Sequence, residues 1–156
     1  MADHQKFMAQ AIRLAEKSLI NGGGPFGAVI VKNNEVIGSG SNQVTLTNDP
    51  TAHAEMVAIR AACQAVSDFQ LEGCAIYVNC EPCPMCLSAL YWAGVKEIYF
   101  AADRNDAAAI GFADNFIYQE FAKEPADREI AIHQLMRAEA LQGFLLWDEL
   151  EDKIPY

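Results

Sequence analysis

The sequence predicts an α/β protein, a three-layer α/β/α sandwich in which helices cover both faces of a central mixed five-stranded sheet. Three observations carry this expectation. A helix-length amphipathic stripe opens the chain. Two β-rich runs then flank a short polar turn, which makes a hairpin and so an antiparallel pair. After the hairpin, apolar strands alternate with helical stretches, the order that builds parallel pairs beneath helices.

Taken in order, residues 3–20 place Phe7, Met8, Ala11, Ile12, Ala15 and Leu19 on one helical stripe. Asn21-Gly22-Gly23-Gly24-Pro25 ends it. Phe26 to Val31 is an apolar strand, Lys32-Asn33-Asn34-Glu35 the turn, and Val36 to Ser41 the returning strand. Gly38 and Gly40 in that strand imply a bulge or a close backbone approach. Asp49 is placed to cap a helix and Pro50 to open its first turn, so a helix is expected from Thr51 to about Val66. Ala75 to Asn79 reads as a strand, Pro84 to Ala93 as a helix stopped by Gly94, and Glu97 to Ala101 as a strand. Residues 102–126 follow no clear period, being broken by Gly111 and Pro125. Ile130 to Leu135 supplies the fifth strand, and Arg137 to about Asp152 a final helix. With no repeat, low-complexity tract or linker, one domain spanning residues 1–156 is expected.

Composition narrows the function. The chain is 52% hydrophobic and 21% charged, a globular balance. No apolar run is long enough for a membrane span, and Met1-Ala2-Asp3-His4-Gln5-Lys6 lacks the basic start and apolar core of a signal peptide. A cytoplasmic location is the expectation. The formal net charge is −10, with Lys and Arg scattered singly. Phosphate backbones call for basic surface, so neither nucleic acid nor membrane is expected as a partner and a small neutral molecule is. The five cysteines are odd in number; in a reducing compartment they read as metal ligands or buried thiols rather than disulfides.

Chemistry concentrates in Thr51-Ala52-His53-Ala54-Glu55 and Pro82-Cys83-Pro84-Met85-Cys86. Cys83 and Cys86 stand three apart at a helix start, which puts both sulfurs on one face. The helix N-terminus favours anions, so both thiols are expected to ionise readily. Alone, this pair divides evenly between metal and other roles, a redox couple or half of a structural zinc site. Cys80 just upstream weakens the redox reading, and Cys63 and Cys74 are too widely spaced to complete a structural site. His53 tips the balance. It lies in the first turn of its helix, two residues before Glu55, and the two converge only if the helix end faces the site. Three protein ligands, His53, Cys83 and Cys86, with a fourth position left for water is the layout of a catalytic zinc. Glu55 beside that position is placed to carry a proton, and the first-turn N–H groups of both helices to stabilise developing negative charge.

This combination, His-x-Glu followed by Pro-Cys-x-x-Cys, resembles the zinc-dependent cytidine deaminase superfamily. The likeness extends to Gly24-Pro25-Phe26-Gly27-Ala28-Val29-Ile30-Val31, Asn48-Asp49-Pro50 and Cys80-Glu81. These segments, with Gly111-Phe112-Ala113-Asp114-Asn115-Phe116-Ile117-Tyr118, are similar to the guanine deaminases of that superfamily. The resemblance implies a cytidine deaminase-like fold, one zinc per subunit and hydrolysis of guanine to xanthine and ammonia. It implies Glu55 and Asp114 as catalytic residues, and Phe26, Asn42, Ala54, Trp92 and Tyr156 as substrate-binding ones. It further implies a homodimer in which the segment of about 137–156 crosses to the partner and closes its site. Bland alternatives stand beside several of these. Phe26 and Trp92 also suit a core, Asp114 a helix cap, and Tyr156 plain surface. Cys80 is expected as a buried thiol near the metal and not a ligand; Cys63, Cys74, His4 and His133 receive no role. The competing functions are a tRNA adenosine deaminase, which the net charge opposes, a cytosine or nucleoside deaminase, and a structural zinc module, which Glu55 opposes.

Overall fold

The computed structural model describes residues 3–156. Met1 and Ala2, which open the stretch read above for a signal peptide, lie outside the described residues. The chain forms two compact units, Met1–Asn115 and Phe116–Tyr156.

The first unit begins with helix α1, His4–Ile20, capped by Asp3, whose carboxylate accepts from the Lys6 N–H. Strands β1 (Gly27–Lys32) and β2 (Glu35–Ser41) follow. The turn between them holds Asn33 and Asn34 at φ of 50° and 66°, the doubly left-handed turn that matches strand twist and that asparagine tolerates. A short helix α2, Val44–Thr47, leads to helix α3, Ala54–Val66. Strand β3 (Cys74–Cys80), helix α4 (Pro84–Trp92), strand β4 (Glu97–Ala102) and helix α5 (Arg104–Ala109) complete it.

The sheet order is β2-β1-β3-β4. β1 runs antiparallel to both β2 and β3, and β3 runs parallel to β4. Alternation along the strands divides the core in two. Ala28, Ile30, Ile76 and Val78 pack with Ala54, Ala58 and Ala62 of α3 and Leu90 of α4. Val29, Val31 and Tyr77 pack on the other face with Phe7 of α1. Helices on both faces of a mixed sheet make the expected three-layer α/β/α sandwich. β3 is buried on both faces, as a central strand between two helix layers must be.

The two glycines of β2 fulfil both expectations. A register shift between Ile30 and Val31 leaves Ile37 as the extra residue of a bulge. A Cβ on Gly40 would lie 2.3 Å from the Ala54 carbonyl oxygen, and one on Gly38 would lie 2.6 Å from that of Ala58. Glycine on the strand and alanine on the helix therefore let α3 settle onto the sheet.

Three expectations need correction. The sheet has four strands among the described residues, not five. Residues 130–135 are exposed and unpaired with any strand of this chain, and an extended segment without a ladder partner is no strand. The helix expected from Thr51 starts at Ala54, because the Gln43 N–H binds the Ala52 carbonyl and holds that stretch extended. Asp49 consequently closes a local turn, accepting from the Thr51 N–H at 2.8 Å and hydroxyl at 2.7 Å, and caps no helix.

The second unit holds nearly all of helix α6 (Asn115–Ala122), a 3-10 turn at Pro125–Asp127 and helix α7, Arg137–Glu149. Within this unit only Glu120 is buried. Ile130, Leu135, Phe144, Leu146 and Ile154 are each 65% or more exposed. None of the described helices is long and apolar enough to cross a membrane.

Candidate active site

The two motifs meet because each sits at a helix mouth. His53 is the N-cap of α3 and Cys83 the N-cap of α4, both with extended backbone (ψ 155° and 168°). His53 thus lies one position before the first helical turn that the sequence suggests for it. Pro84 occupies the first turn of α4, where its missing N–H costs nothing. Cys86 is on the inner side of that turn and fully buried.

The His53 Nδ1 atom stands 3.5 Å from the sulfur of Cys83 and 3.5 Å from that of Cys86. The three donor atoms all lie within 4.8 Å of one another. A tetrahedral zinc with ordinary Zn–S and Zn–N bonds of about 2.3 Å and 2.0 Å separates such donors by about 3.5 Å. Two sulfurs and one imidazole nitrogen at this spacing fit zinc in chemistry and in size, and the sequence could not have told Nδ1 from Nε2.

Ionisation differs from the sequence expectation. The thiol of Cys86 hydrogen-bonds the sulfur of Cys83 and, with help from His53, holds the Cys83 pKa down to about 4. Cys86 moves the other way, raised by that same bond to Cys83, by burial and by the negative charge of Glu55. Hydrogen bonding within the pair and burial therefore move the two thiols in opposite directions. Cys83 also raises the pKa of His53, by accepting its hydrogen bond.

A cavity of about 400 Å³ opens onto this cluster, a size usual for a small-molecule site. Glu55 lines it and is 7% exposed. Burial pushes its carboxyl above the usual carboxylate range. Asp114 lines it too, one residue before α6, and its Oδ1 is buried with no hydrogen-bond partner. Burial first, then the Cys83 charge, raises its pKa. Cys80 lines the cavity outside the donor cluster, its thiol pushed up to about 11 by burial, as expected of a bystander.

Asn42 is buried at the end of β2 and held from several sides. Its N–H binds the Phe26 carbonyl and its carbonyl accepts from the Ser18 hydroxyl, both at 3.0 Å. Its side-chain oxygen accepts from the N–H groups of Val44 at 3.3 Å and Gly24 at 3.4 Å. With the oxygen so engaged, the amide NH2 is the group left to read a ligand acceptor. Phe26 answers to both readings at once. It packs on the core and lines the cavity, edge-on to Phe112 with ring centres 4.9 Å apart.

The remaining expected substrate residues fall elsewhere. Trp92 does not line the cavity: it is the last residue of α4 and 67% exposed. Nine residues beyond Cys83 at about 1.5 Å each carry it about 13 Å from the metal end of the helix. Ala54 turns its methyl into the core beneath α3 and lines no part of the cavity; only its first-turn N–H belongs to the site end of the helix. Tyr156 belongs to the second unit and is 80% exposed.

Sequence reasoning missed several site residues. Phe112, in a quoted segment but given no role, lines the cavity next to Gly111, whose φ is +96°. Asn79 ties the cavity-lining loop to β3, donating to the Pro25 carbonyl and accepting from the Gly27 N–H. Glu81 forms an ion pair with Arg104. The capping box at Asp103 and Asp106, an acid three residues after an acid, is the sequence signal for α5 within a stretch that follows no clear period. His4 and His133 stay without a role at this site; His4 bonds the Tyr77 hydroxyl at 2.9 Å.

Comparison with known proteins agrees with this geometry. The chain is 47% identical to the guanine deaminase of Bacillus subtilis (strain 168) over 155 residues, covering 99% of each. The X-ray structure of guanine deaminase from Bacillus subtilis superposes with a TM-score of 0.95 at 47% identity, again over 99% of both chains. A tRNA-specific adenosine deaminase of Agrobacterium fabrum (strain C58 / ATCC 33970) is 32% identical over 152 residues, 97% of this chain and 100% of that one. The family model for the cytidine and deoxycytidylate deaminase zinc-binding region matches residues 1–102, a span that takes in His53, Glu55, Cys83 and Cys86. By that match, and by the full-length likeness beside it, this chain belongs to the family of zinc-binding cytidine and deoxycytidylate deaminases.

Proposed function

We propose that this protein hydrolyses guanine to xanthine and ammonia. The observation that carries the chemistry is Glu55: a buried carboxyl with a raised pKa, sharing one cavity with the His53, Cys83 and Cys86 donors. The choice of guanine is supported by identity of 47% to a guanine deaminase, against 32% to a tRNA-specific adenosine deaminase of matching length. A net charge of −10 is a poor surface for a tRNA stem.

His53, Cys83 and Cys86 would hold the zinc. When bound, the metal would supply a Lewis acid able to lower the pKa of water from about 15.7 to about 7. Glu55 removes a proton from the attacking water and holds it on a carboxylate oxygen. It then delivers that proton to N3 of the purine, beside the C2 carbon that bears the amino group. Burial suits it to this exchange, because raising the pKa makes the carboxylate a better proton acceptor than an exposed one. Asp114, whose Oδ1 has no other partner, takes the remaining hydroxyl proton of the C2 adduct as the carbonyl forms and passes it to the departing amine. Water adds at C2, the C–N bond breaks, and ammonia and a ring carbonyl result. The Asn42 amide donates to an acceptor on the purine, and Phe26 and Phe112 form its apolar wall.

The second unit completes the enzyme as part of a homodimer. Fourteen large apolar side chains of Phe116–Tyr156 are more than a third exposed, far more than a self-sufficient unit leaves uncovered. Packing against a second copy, with the segment from about 137 to 156 exchanged and Tyr156 over the partner's cavity, would cover them. The protein works in the cytoplasm, where five free thiols persist.

The test is ammonia release by zinc-loaded protein offered guanine, adenine, cytosine, cytidine and a tRNA in parallel. Release from guanine is expected. Release only from tRNA, or only from cytosine or cytidine, would refute the substrate and keep the family chemistry.

A further inference from the structure

We infer that the Glu81–Arg104 ion pair is a positioning device that holds the Cys83-bearing loop in register for the metal. This deepens the zinc-site reading above and rests on His53, Cys83 and Cys86 being the ligands.

The loop in question is short. β3 ends at Cys80 and the ligand Cys83 already caps α4, so Glu81 and Pro82 are the only residues between. Pro82 has no N–H to give. The Glu81 N–H continues the parallel ladder by binding the Ala102 carbonyl at 2.9 Å. Side chains add to that backbone bond.

Glu81 provides it. Its carboxylate accepts from Nε of Arg104 at 3.2 Å to each oxygen, from Nη2 of the same guanidinium, and from the Arg104 backbone N–H at 3.2 Å. The adjacent Cys80 thiol donates to the Asp103 carbonyl at 3.7 Å. Residues 80–81 are thus stitched to 102–104 by main chain, thiol and a forked ion pair. Exposed ion pairs commonly contribute little. This one differs because a planar fork and a backbone donor meet one half-buried carboxylate, which fixes direction as well as distance.

The same pair joins two parts of the site. Arg104 opens α5, whose Ala107 lines the cavity, and the chain then reaches Phe112 and Asp114. Arg104 is also near enough to Asp114 to act on its charge. Burial and the Cys83 charge raise the Asp114 pKa, and the Arg104 charge opposes that rise. Although Glu81 lines the cavity, Arg104 occupies both its oxygens, so it is a positioning residue and carries no proton.

The experiment measures zinc dissociation from the holoprotein into an excess of a chelating dye, alongside kcat and KM for base deamination. Glu81→Gln keeps the shape and removes the charge; zinc loss should quicken roughly tenfold, as for other groups that orient ligands from behind. Arg104→Lys keeps the charge and loses the fork; it should fall between wild type and Glu81→Gln. In both variants kcat should drop more than KM rises. Wild-type zinc dissociation in both, with only the melting temperature lowered, would overturn the inference and leave a merely structural pair. Should Glu81→Gln fail to fold, Arg104→Lys decides alone, and wild-type zinc retention there overturns the inference. Faster zinc loss in variants of a protein that deaminates no base would support the inference while refuting the proposed function.

Discussion

Replacing Gly40 by alanine should damage the metal centre from the far side of α3. Gly40 lies on β2 opposite Ala28, beneath the first turns of the helix. Its Cβ would come 2.3 Å from the Ala54 carbonyl oxygen, 2.7 Å from the Ala58 nitrogen and 2.8 Å from the Val57 Cβ. Two of these are backbone atoms and cannot rotate away. Reaching ordinary contact needs about 1 Å of movement, so the helix must lift or the strand must sink. Overpacking of this kind costs about 1–3 kcal/mol. For a chain of this size that lowers Tm by roughly 2–12 °C. Ala54 directly follows His53 and precedes Glu55, so the displacement reaches both. Misplacing reacting groups by about 1 Å costs about 10²-fold in rate. The assay pairs calorimetry of the zinc-loaded protein with steady-state turnover. Gly143→Ala is the control, since nothing lies within 4 Å of its added methyl and alanine favours a helix interior by about 0.5–1 kcal/mol. If Gly40→Ala melts and turns over like wild type, or behaves like Gly143→Ala, the close approach of α3 does not set the site.

Other perturbations separate the remaining roles. Glu55→Gln should retain a full complement of zinc and lose turnover by about 10²–10⁴-fold, the usual share of general acid–base catalysis; metal analysis with single-turnover kinetics checks it. Cys83→Ala should lose metal and thermal stability together, because the binding energy of a zinc site is also folding energy; retention of one zinc per chain would refute the ligand assignment. Arg104 holds the Glu81 carboxyl below its ordinary 4.5, so the pair's stabilisation is full above that value and is lost as pH falls through the lower folded one. The Tm gap between wild type and Glu81→Gln should accordingly be present at neutral pH and close in acid. Truncation after Met136 should convert a dimer to monomers on light scattering and reduce turnover while zinc stays bound, since all three ligands precede residue 116.

Much of the fold was legible because local and global signals agree in the first unit. Two adjacent asparagines dictate the hairpin turn, and the apolar runs of β1 and β3 are buried nearly throughout, as central strands between helix layers are. The ligand trio was legible because spacing on helix starts is a short-range property. Two kinds of feature escaped. Helix onset at Ala54 depends on a hydrogen bond from Gln43 to Ala52 across the chain, which no local capping rule contains. The strand expected at 130–135 had the right composition, but a strand exists only where another strand accepts it. Trp92 was implied by family resemblance alone; it stands at the last position of α4, exposed, and is not among the residues of this chain that line the cavity.

The signature itself can be understood as a rule about helix mouths. An N-cap residue has an extended backbone, so its side chain projects across the end of the helix instead of along its flank. His53 and Cys83 both stand at that position, and α3 and α4 pack on the same face of the sheet. Their ends converge on the donor cluster, where the Cys86 backbone N–H bonds the Cys83 sulfur. The Cys86 thiol, by bonding the Cys83 sulfur, and then His53 lower the Cys83 pKa. Cys86 sits one turn further in, fully buried, and its bond to Cys83, its burial and the charge of Glu55 move its pKa up. Two cysteines of one motif, three residues apart, therefore meet different surroundings: the outer one caps the helix mouth, and the inner one is enclosed beneath it.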